Sequence, residues 1–227
     1  MNKTELEQWL VIAKNNTIKQ LKLQTDWWPL SSNSKPYAAQ ASAWGIAFFT
    51  EAALNRAAGE VLTARCSNGS NNLSQSIVDA LWVSSPDRIH DKDQLMLDYC
   101  VVNQTASSPI QVTGESEVGP SHPIDFNPIP TNGYAWDFYK LLIVPSATRL
   151  FFARVASSGG VGAPQRIEAL AKSLRKLIDI YGPTFLRPND ELGAVLIPST
   201  TSQRDGAIIL WVSQGRVRFE KITPGLL

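Results

Sequence analysis

An aspartate stands inside the apolar run Leu95–Val102 (Leu-Met-Leu-Asp-Tyr-Cys-Val-Val), and no other feature of this 227-residue chain restricts its fold as much. A run that apolar reads as a strand covered on much of both faces. A lone carboxylate is expensive to bury there. Asp98 therefore needs a salt-bridge partner, a raised pKa or a metal ion.

The next segment suggests which groups surround it. Residues 110–118 alternate, with Ile110, Val112, Gly114, Ser116 and Val118 on one side and Gln111, Thr113, Glu115 and Glu117 on the other. The connection through Asn103–Pro109 is short enough for the two strands to form an antiparallel hairpin. If Asp98 pairs directly with Glu115, the two share a face, and Glu117 follows two residues along it. A slip of one residue would send Asp98 to the opposite face. Three carboxylates on one patch of sheet repel each other, and a cation would hold them together. Carboxylates and water select Mg²⁺ or Mn²⁺ over zinc. Such an ion activates water and offsets charge on a phosphate. Lys140, in Trp136-Asp137-Phe138-Tyr139-Lys140-Leu141-Leu142, could reach back to the carboxylates from the following helix and stabilise the pentacoordinate phosphate.

The rest of the chain supplies the frame. Residues 4–23 have helical periodicity, and Thr4 with Glu7 matches a capping box. Thr25–Lys35 is a break, and 37–65 are alanine-rich helix formers. Strands are expected at 76–84, 95–102 and 110–118. A proline-rich loop follows, then a short helix over 134–144 with Asp137 in its first turn, and a strand over 148–155. Residues 164–181 form the best amphipathic helix, started by Pro164 and ended by Gly182-Pro183. Strands at 193–199 and 207–213 follow, with an edge strand over 215–222. The order α-α-β-β-β-α-β-α-β-β describes an α/β domain, a central mixed β-sheet flanked by helices. Residues 1–35 read as an N-terminal helical extension and 36–227 as the α/β domain.

Asp98 followed by Glu115-Ser116-Glu117 resembles the PD-(D/E)xK nuclease superfamily, in the variant whose strand ends Glu-x-Glu and whose lysine has moved to the next helix. Asp137-Phe138-Tyr139-Lys140-Leu141-Leu142 resembles that helix, and Arg149–Val155 the strand after it. The resemblance covers roughly residues 76–182. It implies a restriction-endonuclease-like fold, a magnesium-dependent phosphodiesterase centre at Asp98, Glu115, Glu117 and Lys140, and DNA as substrate. In some members a first-helix glutamate also helps hold a metal, and Glu51 is the nearest match. The chain departs from the pattern in three places. Leu97 precedes Asp98 where a proline is expected, the literal Pro86-Asp87 falls in a turn, and Asp79 competes for the aspartate role.

Charge and composition exclude several other classes. The net charge of +1 points to neither nucleic acid nor membrane by itself. It is unevenly spread: nine acids and three bases lie between Glu60 and Asp125, and twelve bases and seven acids between Tyr134 and Leu227. Arg149, Arg154, Lys172, Arg175 and Lys176 are the candidate phosphate contacts. Two cysteines, Cys66 and Cys100, exclude a disulfide scaffold, and His90 and His122 are too few for a histidine-rich metal centre. No stretch reads as a signal peptide or a membrane span, so a cytoplasmic protein is expected. Ser157–Gly162 lacks a Gly-Lys-Ser/Thr ending, and no Gly-x-Ser-x-Gly elbow is present.

Each candidate has a purely structural alternative. Asp98 could pair with Lys140 or Arg149 to hold the fold, Glu115 and Glu117 could face solvent, and Lys140 could be an ordinary surface lysine. Two functions follow from these residues. One is a metal-dependent endonuclease in restriction, repair or defence, with DNA and a second copy of the chain as partners. The other is a non-catalytic interaction or nucleic-acid-binding module on the same fold.

Overall fold

The computed structural model describes residues 1–30, 35–57, 63–66, 97–103, 110–118, 124, 126–130, 133–213 and 215–227. The strand expected at 76–84, with Asp79, lies outside these residues, as do Pro86-Asp87, His90 and His122.

Helix α1 spans Lys3–Leu21 and α2 spans Lys35–Arg56. The capping box sits two residues upstream of the expected one: Asn2 accepts from the Glu5 N–H, and the Glu5 carboxylate accepts from the Asn2 N–H. Both pairs fit the same pattern, and asparagine caps better than threonine. Glu7 instead accepts from the backbone N–H and hydroxyl of Thr223. Leu6, Trp9, Leu10 and Ala13 form the buried stripe of α1. Helix α2 stops at Arg56 rather than running to 65, and Thr63–Cys66 is a strand, β1. Gly59 and the β-branched Val61 and Thr63 end the run of helix formers in the sequence.

The other strands are β2 (Tyr99–Val102), β3 (Ile110–Glu117), β4 (Thr148–Val155), β5 (Glu191–Pro198), β6 (Ile208–Ser213) and β7 (Arg216–Lys221). They make one seven-stranded sheet in chain order. The pairs β3–β4 and β4–β5 are parallel and the other four antiparallel. The two parallel connections carry α3 (Gly133–Ile143) and α4 (Ala163–Phe185), as parallel pairing requires a crossover. A short 3₁₀ turn spans Thr201–Gly206. No helix among the described residues is long and apolar enough to cross a membrane.

Helices cover the sheet on both sides, giving an α/β architecture of three layers. One core joins α3 and α4 to Phe151, Ala153, Val155, Leu192, Ala194 and Leu196. The other joins α1 and α2 to Leu150, Phe152, Val195, Ile197, Ile209 and Trp211. Every residue of β4 is buried, so its two faces feed different cores. Residues 1–30 contribute Leu6, Trp9, Leu10, Trp27 and Trp28 to the second core, and α1 lies against α2.

Two helix boundaries differ from expectation in ways that matter to the site. Helix α3 starts at Gly133, which places Asp137 beyond its first turn. Helix α4 runs through Gly182-Pro183 to Phe185. A proline near a helix end removes a single ladder bond, and continued packing of Tyr181 on Phe185 favours the extra turn.

Candidate metal and active site

Strands β2 and β3 pair Tyr99 with Gly114, Cys100 with Thr113 and Val101 with Val112. The ladder ends at the first of these pairs, with Asp98 one residue outside β2 and Glu115 one residue past Gly114 on β3. Asp98 lies at a bend just before β2, so its side chain sits where the ladder opens. Its Oδ2 accepts from the Ser116 backbone N–H at 2.7 Å and from the Ser116 hydroxyl at 3.1 Å. Helix α2 closes this region from behind. A Cβ on Gly114 would lie 2.5 Å from the Phe49 ring, so only glycine lets that helix approach.

Glu115 points to the opposite layer, toward α3, and is only 2% exposed. Its neighbour on β4 is Phe151, against which Phe138 of α3 packs edge-on at 5.5 Å. That packing aims the next turn of α3 at the strand. Lys140 Nζ lies 3.0 Å from Glu115 Oε1 and 2.9 Å from Asp137 Oδ1. The contact with Oε1 is an ion pair rather than a well-aimed hydrogen bond. Asp137 sits three residues before Lys140 on one helix face, the spacing at which opposite charges meet.

Burial and neighbouring charge act against each other in this cluster. Burial pushes the Glu115 carboxyl well above its ordinary range; Lys140 opposes this, while Asp98 and Asp137 add to it. Burial also raises the Asp98 carboxyl, against the two Ser116 hydrogen bonds and the Lys140 charge. Burial would lower the Lys140 ammonium, but Glu115 and Asp137 more than compensate, so it holds its proton more tightly than usual. Glu115 and Asp137 both contact Lys140, and Asp98 adds its charge to theirs.

Whether the donors suit a divalent cation can be judged from their chemistry and number. Among the described residues, no group of three or more His, Cys, Asp or Glu side chains is gathered as a metal site. The three-carboxylate patch expected from the sequence is therefore not assembled there. Glu117 lies further along β3, where its charge, after burial itself, helps push the Tyr134 phenol upward. The pair that comes together is Asp98 and Glu115. Mg²⁺ suits such a pair, because it is commonly bound by one or two carboxylates and keeps several waters. Glu51 is turned elsewhere and accepts from Asn16 of α1 at 3.1 Å.

Two residues expected to contact phosphate are committed inside the fold. Arg149 is 0% exposed, pairs with Asp190 at 2.9 Å and donates to the Val144 carbonyl. Arg154 is 4% exposed and donates to the Leu30 carbonyl at 2.6 Å. Neither offers a surface to DNA, because both lie on the fully covered strand β4. Lys172, Arg175 and Lys176 are exposed on α4; Lys176 lies over the Phe126 ring and Arg175 sits 3.9 Å from Asp179.

Of the structural alternatives, a solvent-facing Glu115 and a surface Lys140 are excluded by burial. Asp98 takes Ser116 rather than Arg149 as its hydrogen-bond partner. Sequence reasoning missed Ser116 and Asp137 as members of the cluster. The Asp137–Lys140 spacing was the available signal for one; nothing in the sequence pointed to the other. Comparison with protein-family models, curated proteins and solved structures finds no match to this chain.

Proposed function

We propose that the chain is a metal-dependent DNA endonuclease with a restriction-endonuclease-like fold. The observation that carries this reading is Asp98 at the open end of the β2–β3 ladder, near enough to Glu115 for their charges to act on each other, with Lys140 aimed at Glu115 from α3. The succession of hairpin, helix and parallel strand around these residues agrees with the order that the sequence resemblance implies. Asp98 and Glu115 would hold Mg²⁺ or Mn²⁺, which when bound supplies an acidified water and neutralises charge on the phosphate. Lys140, fixed by Asp137, places an ammonium where negative charge builds on the phosphoryl oxygens. Glu117 lies on the same strand face, nearer its end, where it can accept a proton from incoming water. Lys172, Arg175 and Lys176 are the candidate contacts to the DNA backbone.

Purified protein with Mg²⁺ or Mn²⁺ is expected to nick supercoiled plasmid, and Asp98→Ala or Glu115→Ala to abolish nicking. Lys172→Glu combined with Lys176→Glu should weaken DNA binding and flatten its salt dependence. Intact plasmid under all these conditions would reject the enzyme.

One observation favours a second reading, a non-catalytic DNA-binding module. Lys140 already compensates Glu115 and is itself held by Asp137, and no group of three or more ligands is gathered as a metal site among the described residues. On that reading, salt-dependent DNA binding survives Glu115→Ala and Glu117→Ala, and no divalent ion binds.

A further inference from the structure

We propose that Ser116, the residue between the two glutamates, is a positioning residue for Asp98 that leaves Oδ1 as the oxygen offered to a divalent cation. This rests on the endonuclease reading and goes beyond it by giving the middle residue of Glu115-Ser116-Glu117 a task.

Strand alternation turns Ser116 away from Glu115 and Glu117, toward the α2 layer. Its Cβ does point there, since a Cβ on Gly45 of α2 would lie 3.1 Å from it. Yet the hydroxyl and the backbone N–H both converge on Asp98 Oδ2, at 3.1 and 2.7 Å. They can do so because Asp98 precedes β2, where no strand partner claims the Ser116 N–H. Among the described residues, Oδ1 takes no hydrogen bond. Two donors on one oxygen fix the orientation of the carboxylate and leave the other oxygen available. Hydrogen bonds from behind a ligating carboxylate aim it before the ion arrives, and their loss typically weakens metal binding. Gly45 is the second part of the device, because it lets α2 come close to Ser116.

The test uses the full chain and Mn²⁺ titration calorimetry on the variants Ser116→Thr, Ser116→Val and Ser116→Ala. Threonine and valine share a shape and differ in the hydroxyl, so their comparison removes any effect of crowding against α2. S116V is expected to bind Mn²⁺ about tenfold more weakly than S116T, and S116A to fall similarly below wild type. Without metal, the difference in thermal midpoint between S116T and S116V should vanish in an Asp98→Ala background, which has no acceptor for the residue-116 hydroxyl. Equal Mn²⁺ affinity of S116T and S116V, in a protein whose wild type binds Mn²⁺, would overturn the role of Ser116 alone. A wild type that takes up no Mn²⁺ would overturn the endonuclease reading and the cation role of Ser116 with it.

Discussion

Lys140 and Glu115 meet at 3.0 Å between a strand and the helix that follows it, and both are almost wholly buried. Asp137 holds the same ammonium from the helix side at 2.9 Å. A buried pair of this kind is weak evidence for stability, but removing one member leaves the other uncompensated. The arrangement therefore makes strong predictions about single substitutions.

Lys140→Met should destabilise the metal-free protein by about 3 kcal/mol at neutral pH. The cost should shrink in acid, because Glu115 can escape by taking up a proton. Urea unfolding at two pH values measures both quantities. Equal costs at the two values would mean that Glu115 is not the group left behind.

The pH dependence follows from the raised Glu115 carboxyl. Between the ordinary glutamate value and its own higher one, the folded state binds a proton that the unfolded chain has released. Stability then falls as pH rises through that window. Glu115→Gln removes this contribution, so its thermal midpoint should decline less with rising pH than the wild type's. A variant with the same slope as wild type would contradict the shift.

Gly114 sits where α2 presses on the sheet beside the site. Gly114→Ala would place a methyl group 2.5 Å from the Phe49 ring. Overpacking of this kind costs about 1–3 kcal/mol. Phe49→Leu makes room, so the double variant should recover part of the loss that G114A causes in the Phe49 background. Thermal denaturation of the four proteins closes that cycle. Additive effects would mean that the ring is not what excludes the side chain.

Arg149 is buried against Asp190 and the Val144 carbonyl. Asp190→Asn should cost about 3–5 kcal/mol, because the guanidinium loses its ion-pair partner while remaining inside. The effect appears as a lower denaturation midpoint, with no change in DNA affinity at temperatures where the variant is folded. A change in affinity alone would return Arg149 to the list of phosphate contacts.

Much of this fold was legible because its strands carry strong patterns. Leu150–Ala153 is wholly apolar and lies in the fully covered β4, and Ile110–Glu117 alternates and became β3. The register of that strand against β2 was an assumption in the sequence, where a one-residue slip was equally open, and the pairing of Tyr99 with Gly114 is what settles it. What escaped reading lies where tertiary contact overrides local preference. Alanine-rich propensity carried the expected second helix past Arg56, and a proline ended the expected α4 one turn early. The phosphate role of Arg149 and Arg154 was misplaced for a related reason. A basic residue in an apolar strand signals a buried hydrogen-bonded cation as readily as a surface, and burial cannot be read from charge. Ser116 was hidden because alternation assigned its side chain to the other layer, and only the bend at Asp98 brings the two together.

The most direct measurement is a crystal of this protein soaked in Mn²⁺, with the ion located by its anomalous scattering. The account predicts a peak between Asp98 Oδ1 and the Glu115 carboxylate, with Lys140 retained on Asp137. Diffraction showing no ion there, with Asp98 and Glu115 turned to separate partners, would contradict it.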